Sequence, residues 1–393
     1  MVKRASLAGV IFVSAISLVL IVSSCSKKAA DSGWKAEIEI IDGVKTIRNP
    51  ETPRNGTFAF DLAEGLVIGQ EKDEAYFFPG RVQLNVDGQG RFFVSDTRNR
   101  RVQVYDRNGA YVRTLGRPGQ GPGEFNTFPV GVFFDRLGDA YINAGFRSLV
   151  VFGPDGIFKK SIPIKIALSG LMLGPGGTIV GRTQPSPWEE GGLKNKLLQF
   201  GPDGEMLLTI ATYPANGVSP AGVLTHWYVG QLAFCPRSDD SFFYGFSLDY
   251  RVHVIDGEGR ELFAFSKAEA GQAITGREAD LTREGGVIWS GQGDGGTAPL
   301  DLPDHRPFFS RFFGDDLGRL YVVRFRPITE KALTSSEIDV FSKDGYYLYR
   351  MTWPFIPQVI KAGFLYEVRQ DEEAGLTKII RHRIANWGDF RSD

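Results

Sequence analysis

The feature that most constrains this chain is a repeat. From Arg81 onward the same order recurs: a short apolar strand, a polar turn ending in Gly, an aromatic or β-branched strand, a break, an alternating strand, a second turn and a closing strand. The clearest copy has strands at 82–86, 92–95, 102–105 and 111–115, with turns from Asp87 to Gly90 and from Asp106 to Gly109. A second has strands at 130–134, 140–143, 149–152 and 158–162, with turns from Asp135 to Gly138 and from Gly153 to Gly156. Equivalent turn glycines lie 47 residues apart from Gly109 to Gly156 and 48 apart from Gly156 to Gly204. Four strands in a period of that length are what a propeller blade needs.

Further copies follow with looser spelling. Gly174-Pro175-Gly176-Gly177 with Gly201-Pro202-Asp203-Gly204 marks a third, Asp256-Gly257-Glu258-Gly259 a fourth, and Asp315-Asp316-Leu317-Gly318 with Ser342-Lys343-Asp344-Gly345 a fifth. A sixth, at 359–361, 364–369 and 377–384, runs out after three strands. The expected fold is therefore all-β, a six-bladed β-propeller over 34–393 whose last blade is completed by an N-terminal strand, either 35–41 or 44–48, so that no sheet edge stays open. With 48 glycines, 21 prolines and 30 phenylalanines, the composition suits short strands and tight turns. It stays below the roughly 25–30% Pro plus Gly of low-complexity chains.

The residues Gly90-Arg91-Phe92-Phe93-Val94-Ser95-Asp96-Thr97-Arg98-Asn99-Arg100-Arg101-Val102-Gln103-Val104-Tyr105-Asp106 resemble the NHL-repeat and related bacterial six-bladed propellers. The run from Gly116 to Phe125 is similar to an inter-blade connection of such proteins. Later blades lack the Asp and Asn of the first copy. A propeller hosts unrelated activities, so function has to come from a site.

The N-terminus sets the compartment. Lys3 and Arg4 precede an uncharged apolar run from Ala5 to Val22 and then Ser23-Ser24-Cys25, the order of a secretory signal. The segment resembles a bacterial lipoprotein signal peptide. That resemblance implies removal of 1–24, a diacylglycerol on Cys25, and a flexible tether over 25–33. An uncleaved membrane anchor is the alternative. The expected location is the bacterial cell envelope, lipid-anchored and facing the periplasm or the surface, with the outer membrane favoured under the proteobacterial rule because residue 26 is Ser and not Asp. Cys235 is then the one remaining cysteine, and its apolar strand makes it a buried, inert thiol.

Candidate sites follow from blade geometry. Turns between second and third strands, and connections between blades, share one face at the mouth of the channel. Two insertions fall there, 182–195 and the long 267–307, which contains a short helical stretch near 278–284 and is expected to act as a lid. Arg98, Arg100, Arg147, Arg182, Arg251, Arg324, Arg326 and Arg369 occupy second-to-third-strand turns, so converging guanidiniums there suit a small anionic ligand. Trp188, with Phe77, Phe78, Phe128, Trp227, Tyr228, Phe308 and Phe309, precedes inner strands and offers rings for stacking. His226 and His305 lie in connections on the same face.

The 45 basic and 46 acidic residues leave a net charge of −1, so nucleic acid is not an expected partner. None of the four histidines has a local metal-binding spacing, no nucleophile elbow is present, and no phosphate loop opens a helix. No cofactor is expected. The function expected is a non-catalytic module that binds an envelope protein or a small anion through Arg98, Arg147, Arg182, Arg324, Arg326, Trp188, His226 and His305. The alternative is a metal-dependent propeller enzyme of the lyase or lactone-hydrolase type, using Ca²⁺ or Zn²⁺ at His226 and His305 with carboxylates such as Asp304.

Overall fold

A computed structural model describes residues 33–391 other than 146, 184–193, 215–217, 220–221, 286, 292–301 and 330–333. The signal segment, Cys25 and Trp188 lie outside the described residues. Among the described residues no helix is long and apolar enough to cross a membrane.

Each repeat folds as an antiparallel sheet of consecutive strands, and six such sheets form the blades of a propeller. Blade 1 spans 82–115, blade 2 129–163, blade 3 168–214, blade 4 232–267 and blade 5 309–353. Blade 6 has Val359–Lys361, Phe364–Asp371 and Leu376–Ile384, with Leu62–Ile68 as its outer strand. Apolar side chains of adjacent sheets interlock: Phe93 and Val104 of blade 1 share one buried cluster with Val132, Ile142 and Val150 of blade 2. Burying such clusters is the main stabilising term of the ring.

The repeated turns have a common local cause. In Asp87, Asp106, Asp135, Asp256 and Asp315, one carboxylate oxygen accepts the backbone N–H groups two and four residues on, at 2.8–3.0 Å. The glycine that closes each turn sits in the left-handed region, as Gly90 does at φ 79°. At Gly204, φ 88°, a Cβ would come within 2.2 Å of the Pro163 carbonyl, so that turn also needs glycine for space.

An N-terminal strand does close blade 6, but not either segment expected. Leu62–Ile68 pairs antiparallel with Leu376–Ile384, from Ile68 opposite Ile379 to Leu62 opposite Ile384. The earlier segments Glu37–Ile41 and Val44–Asn49 form a hairpin instead. Their connection is Asp42-Gly43, with φ 52° and 81°, the two-residue turn that matches strand twist. Val44–Asn49 then adds parallel to the outer strand of blade 4, Glu261–Lys267, making a six-stranded sheet there. Asn49 fixes this docking: its Nδ2 donates to the carbonyls of Ser266 at 3.0 Å and Gly345 at 2.8 Å, and its Oδ1 accepts the Tyr347 N–H at 2.9 Å. From there the chain runs along blade 5, where Arg54, Asn55 and Phe58 N–H groups donate to the Tyr347, Leu348 and Arg350 carbonyls.

Candidate functional site

The two ends of the channel differ. On the insertion end, the connection between blades 3 and 4 and the one between blades 4 and 5 meet. Gly222–His226 pairs antiparallel with Val287–Gly291, and Val218–Ser219 adds to its other side, so the two connections share one small sheet outside the blades. Next to it lies a helix, Gly276–Gly285, over the stretch expected to be helical.

That helix starts on a capping box. The Thr275 hydroxyl accepts the Glu278 N–H at 3.3 Å while the Glu278 carboxylate accepts the Thr275 N–H at 2.8 Å. Glu278 is only 5% exposed. Its carboxylate also accepts from Tyr228 at 2.7 Å and from Arg306 Nη2 at 2.7 Å. Burial opposes ionisation, but the donors from Arg306, Tyr228 and Thr275 outweigh it and hold Glu278 down to about 2. Tyr228 in turn accepts the Ile328 N–H, and the Trp227 indole donates to the Arg326 carbonyl at 2.6 Å. The helix is thus pinned to the connections of two blade junctions and to the loop that follows Arg324 in blade 5.

At the seam of blades 4 and 5 sits a buried charge cluster. The Asp339 carboxylate, fully buried, meets Lys267 Nζ at 2.7 Å, Arg324 Nη1 at 3.0 Å and Arg350 Nε at 3.3 Å. It also accepts from the hydroxyls of Tyr250, at 2.7 Å, and Tyr347. Lys267 continues to Glu269 at 2.6 Å, and Glu269 pairs with Arg324. Burial works against the charge on Asp339, yet Lys267 and Arg324 keep its carboxyl far below the usual carboxylate range.

The residues expected to converge are placed as follows. Arg98 donates to the Pro79 carbonyl at 3.1 Å, and Arg147 is exposed in the blade 2 turn. Arg182 donates to Ser169 at 2.9 Å and to the Leu232 carbonyl at 2.7 Å, bracing blade 3 against the inner strand of blade 4. Arg324 is engaged by Glu269, Glu337 and Asp339, and Arg326 reaches the Ser336 hydroxyl at 3.3 Å. His305 Nδ1 donates to the Arg306 carbonyl at 2.8 Å and its ring packs on Phe308. The backbone of His226 lies in the small sheet, opposite Val287. Arg324, Arg326, His226 and His305 therefore belong to elements that meet at the blade 4–5 junction, whereas Arg98, Arg147 and Arg182 stay on blades 1 to 3. Among the described residues no group of three or more His, Cys, Asp or Glu side chains can hold a metal. Cys235 is buried, and burial pushes its thiol far up.

The opposite end, built from the first-to-second-strand turns, holds a cavity that sequence reasoning did not anticipate. It measures about 850 Å³ and takes lining residues from all six blades. Phe133, Met172, Phe234 and Phe312 of inner strands form its apolar part, and turn residues such as Asp135, Arg237 and Asp316 line the rest. Arg136 of blade 2 pairs with Asp240 of blade 4 at its rim. On the seam of blades 6 and 1, Lys361 Nζ donates to the Val86 carbonyl at 3.0 Å and Gln358 Oε1 accepts the Leu84 N–H at 2.8 Å. The signal was present as Phe133-Phe134, Phe234 and Phe312-Phe313, which put aromatic residues on three inner strands.

Comparisons agree with this architecture. The family described as a 6-bladed beta-propeller matches at residues 80–136. No match was found among curated protein sequences. Among solved structures, a protein of Bacteroides fragilis described as exported superposes with a TM-score of 0.54 at 11% identity, covering 86% of this chain and 99% of that one. A member of the duf4221 family from Bacteroides vulgatus gives 0.50 at 10% identity, covering 82% and 97%. At these identities the likeness extends to the fold alone.

Proposed function

We propose that the chain is a non-catalytic binding module of the bacterial cell envelope, held to a membrane through a lipid on Cys25, which engages an envelope protein on its insertion end. The observation that carries this reading is the joint sheet of Gly222–His226 and Val287–Gly291, together with the helix pinned by Glu278. Connections from separate blades that fold together make a surface the ring itself does not need. Trp227, 51% exposed beside Arg326, gives that surface an aromatic anchor of the kind that dominates protein interfaces. Arg182 and Arg324 serve it as braces, which favours a protein over a small anion as the partner.

The test places a photo-crosslinking residue at Trp227 or at Leu137, on the other end, in the bacterium that makes the protein. Adducts with one envelope protein from position 227 and none from 137 support the reading, and the reverse pattern overturns it. Labelling with a clickable fatty acid, lost in Cys25→Ser, checks the anchor. A metal that raises the thermal midpoint after chelation would overturn the non-catalytic part, since a ligand at 100 times its dissociation constant adds about 2.7 kcal/mol.

A further inference from the structure

The cavity at the turn end is of the size that small-molecule pockets take, roughly 300–1,000 Å³, and it combines aromatic inner-strand residues with one cation that no carboxylate pairs among the described residues. Lys361 is half-buried on its lining. Of its three ammonium protons, only the one given to the Val86 carbonyl at 3.0 Å has a partner, and among the described residues no carboxylate pairs with it. The nearby acids are engaged elsewhere. Asp87 is held by Arg91 at 2.7 Å and by its turn N–H groups, and Asp316 accepts the Ala362 N–H at 3.0 Å.

Gln358 stands beside Lys361 on the same seam. Its carbonyl oxygen is taken by the Leu84 N–H, which leaves its NH₂ group as a second donor on the cavity lining. The two side chains anchor on Leu84 and Val86, two residues apart on one strand, hence about 7 Å apart along it. At the rim Arg136 is neutralised by Asp240. One positive charge without a carboxylate partner and one free amide therefore face a chamber in which the rings of Phe133, Phe234 and Phe312 lie among polar turn residues.

We propose that this cavity is a binding site for a small organic monoanion with an apolar, ring-bearing body, its carboxylate or sulfonate received by Lys361 and Gln358 and its ring held among Phe133, Phe234 and Phe312. The site lies at the end of the channel opposite the insertions and is independent of the protein partner proposed above. Burial pulls Lys361 below the ordinary lysine value, with Asp87 and Asp316 acting the other way. A ligand anion would offset that desolvation through a charge-assisted hydrogen bond.

The experiment titrates the purified protein with 8-anilinonaphthalene-1-sulfonate, an aromatic monoanion, and in parallel with neutral N-phenyl-1-naphthylamine. One saturable site is expected for the anion. Lys361→Met should weaken the anion about tenfold or more while leaving the neutral probe within about twofold. Gln358→Glu keeps the acceptor for Leu84 and removes the donor, so it should weaken the anion similarly even if Lys361→Met fails to fold. Absence of saturable anion binding, or unchanged anion affinity in the variants, overturns the proposal.

Discussion

The two ends of the ring are built on opposite plans. At the turn end, one short device recurs with its partners two to four residues away: an aspartate oxygen takes two backbone N–H groups and a glycine closes the bend. At the insertion end the contacts that tie the elements together join residues far apart in sequence, such as Tyr228 with Glu278 or Lys267 with Asp339. The first plan shapes the rim of the cavity at blades 1, 2 and 5. The second spends buried charges to fix one particular arrangement of loops, which is what a surface shaped for recognition needs.

Breaking the insertion end at its base should have the largest effect. Asp339→Ala removes one of the two carboxylates shared by Lys267, wholly buried, and Arg324, leaving Glu269 as the other. Removing one member of a buried pair costs about 3–5 kcal/mol, visible as a lower denaturant midpoint for the whole ring.

The turn end has long-range contacts as well, and the one at Arg319 sharpens the contrast. Arg319 is fully buried, pairs with Asp315 at 2.7 Å, donates to the Phe390 carbonyl at 3.0 Å, and lies over the rings of Trp387 and Phe390. Arg319→Met refills the volume but strands Asp315, so about 3 kcal/mol should be lost, with the C-terminal segment exchanging its amides fastest.

Smaller effects separate the insertion from the ring. Glu278→Gln should cost about 1–2 kcal/mol through the lost ion pair and weakened cap, read as faster hydrogen exchange in 276–285 with ring amides unchanged. Acid should do the same in the unaltered protein. Because the folded Glu278 titrates at about 2 and its ordinary value is 4.5, its contribution is complete above pH 4.5 and is lost as pH falls toward 2. Protection of the helix should decline across that window.

The smallest change is expected from a single repeated turn. Asp106→Ala removes two hydrogen bonds at an exposed bend and should cost about 1 kcal/mol or less, seen as a small drop in thermal midpoint. An effect as large as that of Asp339→Ala would break the distinction between the two ends.

The same distinction explains what could be read in advance. The blades were legible because Asp, Gly and alternating apolar residues report local hydrogen bonds and strand period. The helix at 276–285 was legible as the short helical stretch expected near 278–284. The closing strand was not. Residues 37–41, 44–49 and 62–68 are all strand-like, and only long-range register with 376–384 separates them. The arginines were visible as a type, but Arg182 and Arg324 find their partners on neighbouring blades, so spacing could not tell a brace from a ligand donor. The cavity was not legible because its lining combines short turns and inner-strand residues of all six blades, which no long insertion marks.

The belt of 37–68, which touches blades 4, 5 and 6 from outside, has a kinetic consequence. The ring shuts only when Leu62–Ile68, near the start of the chain, meets Leu376–Ile384, near its end. Contacts of such high sequence separation are slow to form and come after most of the chain-entropy cost has been met. A chain delivered N-terminus first, from a ribosome or through a pore, therefore cannot complete its sheet until the last blade has emerged. Until then blade 6 has no outer strand, although 44–49 and 54–58 can already dock on blades 4 and 5.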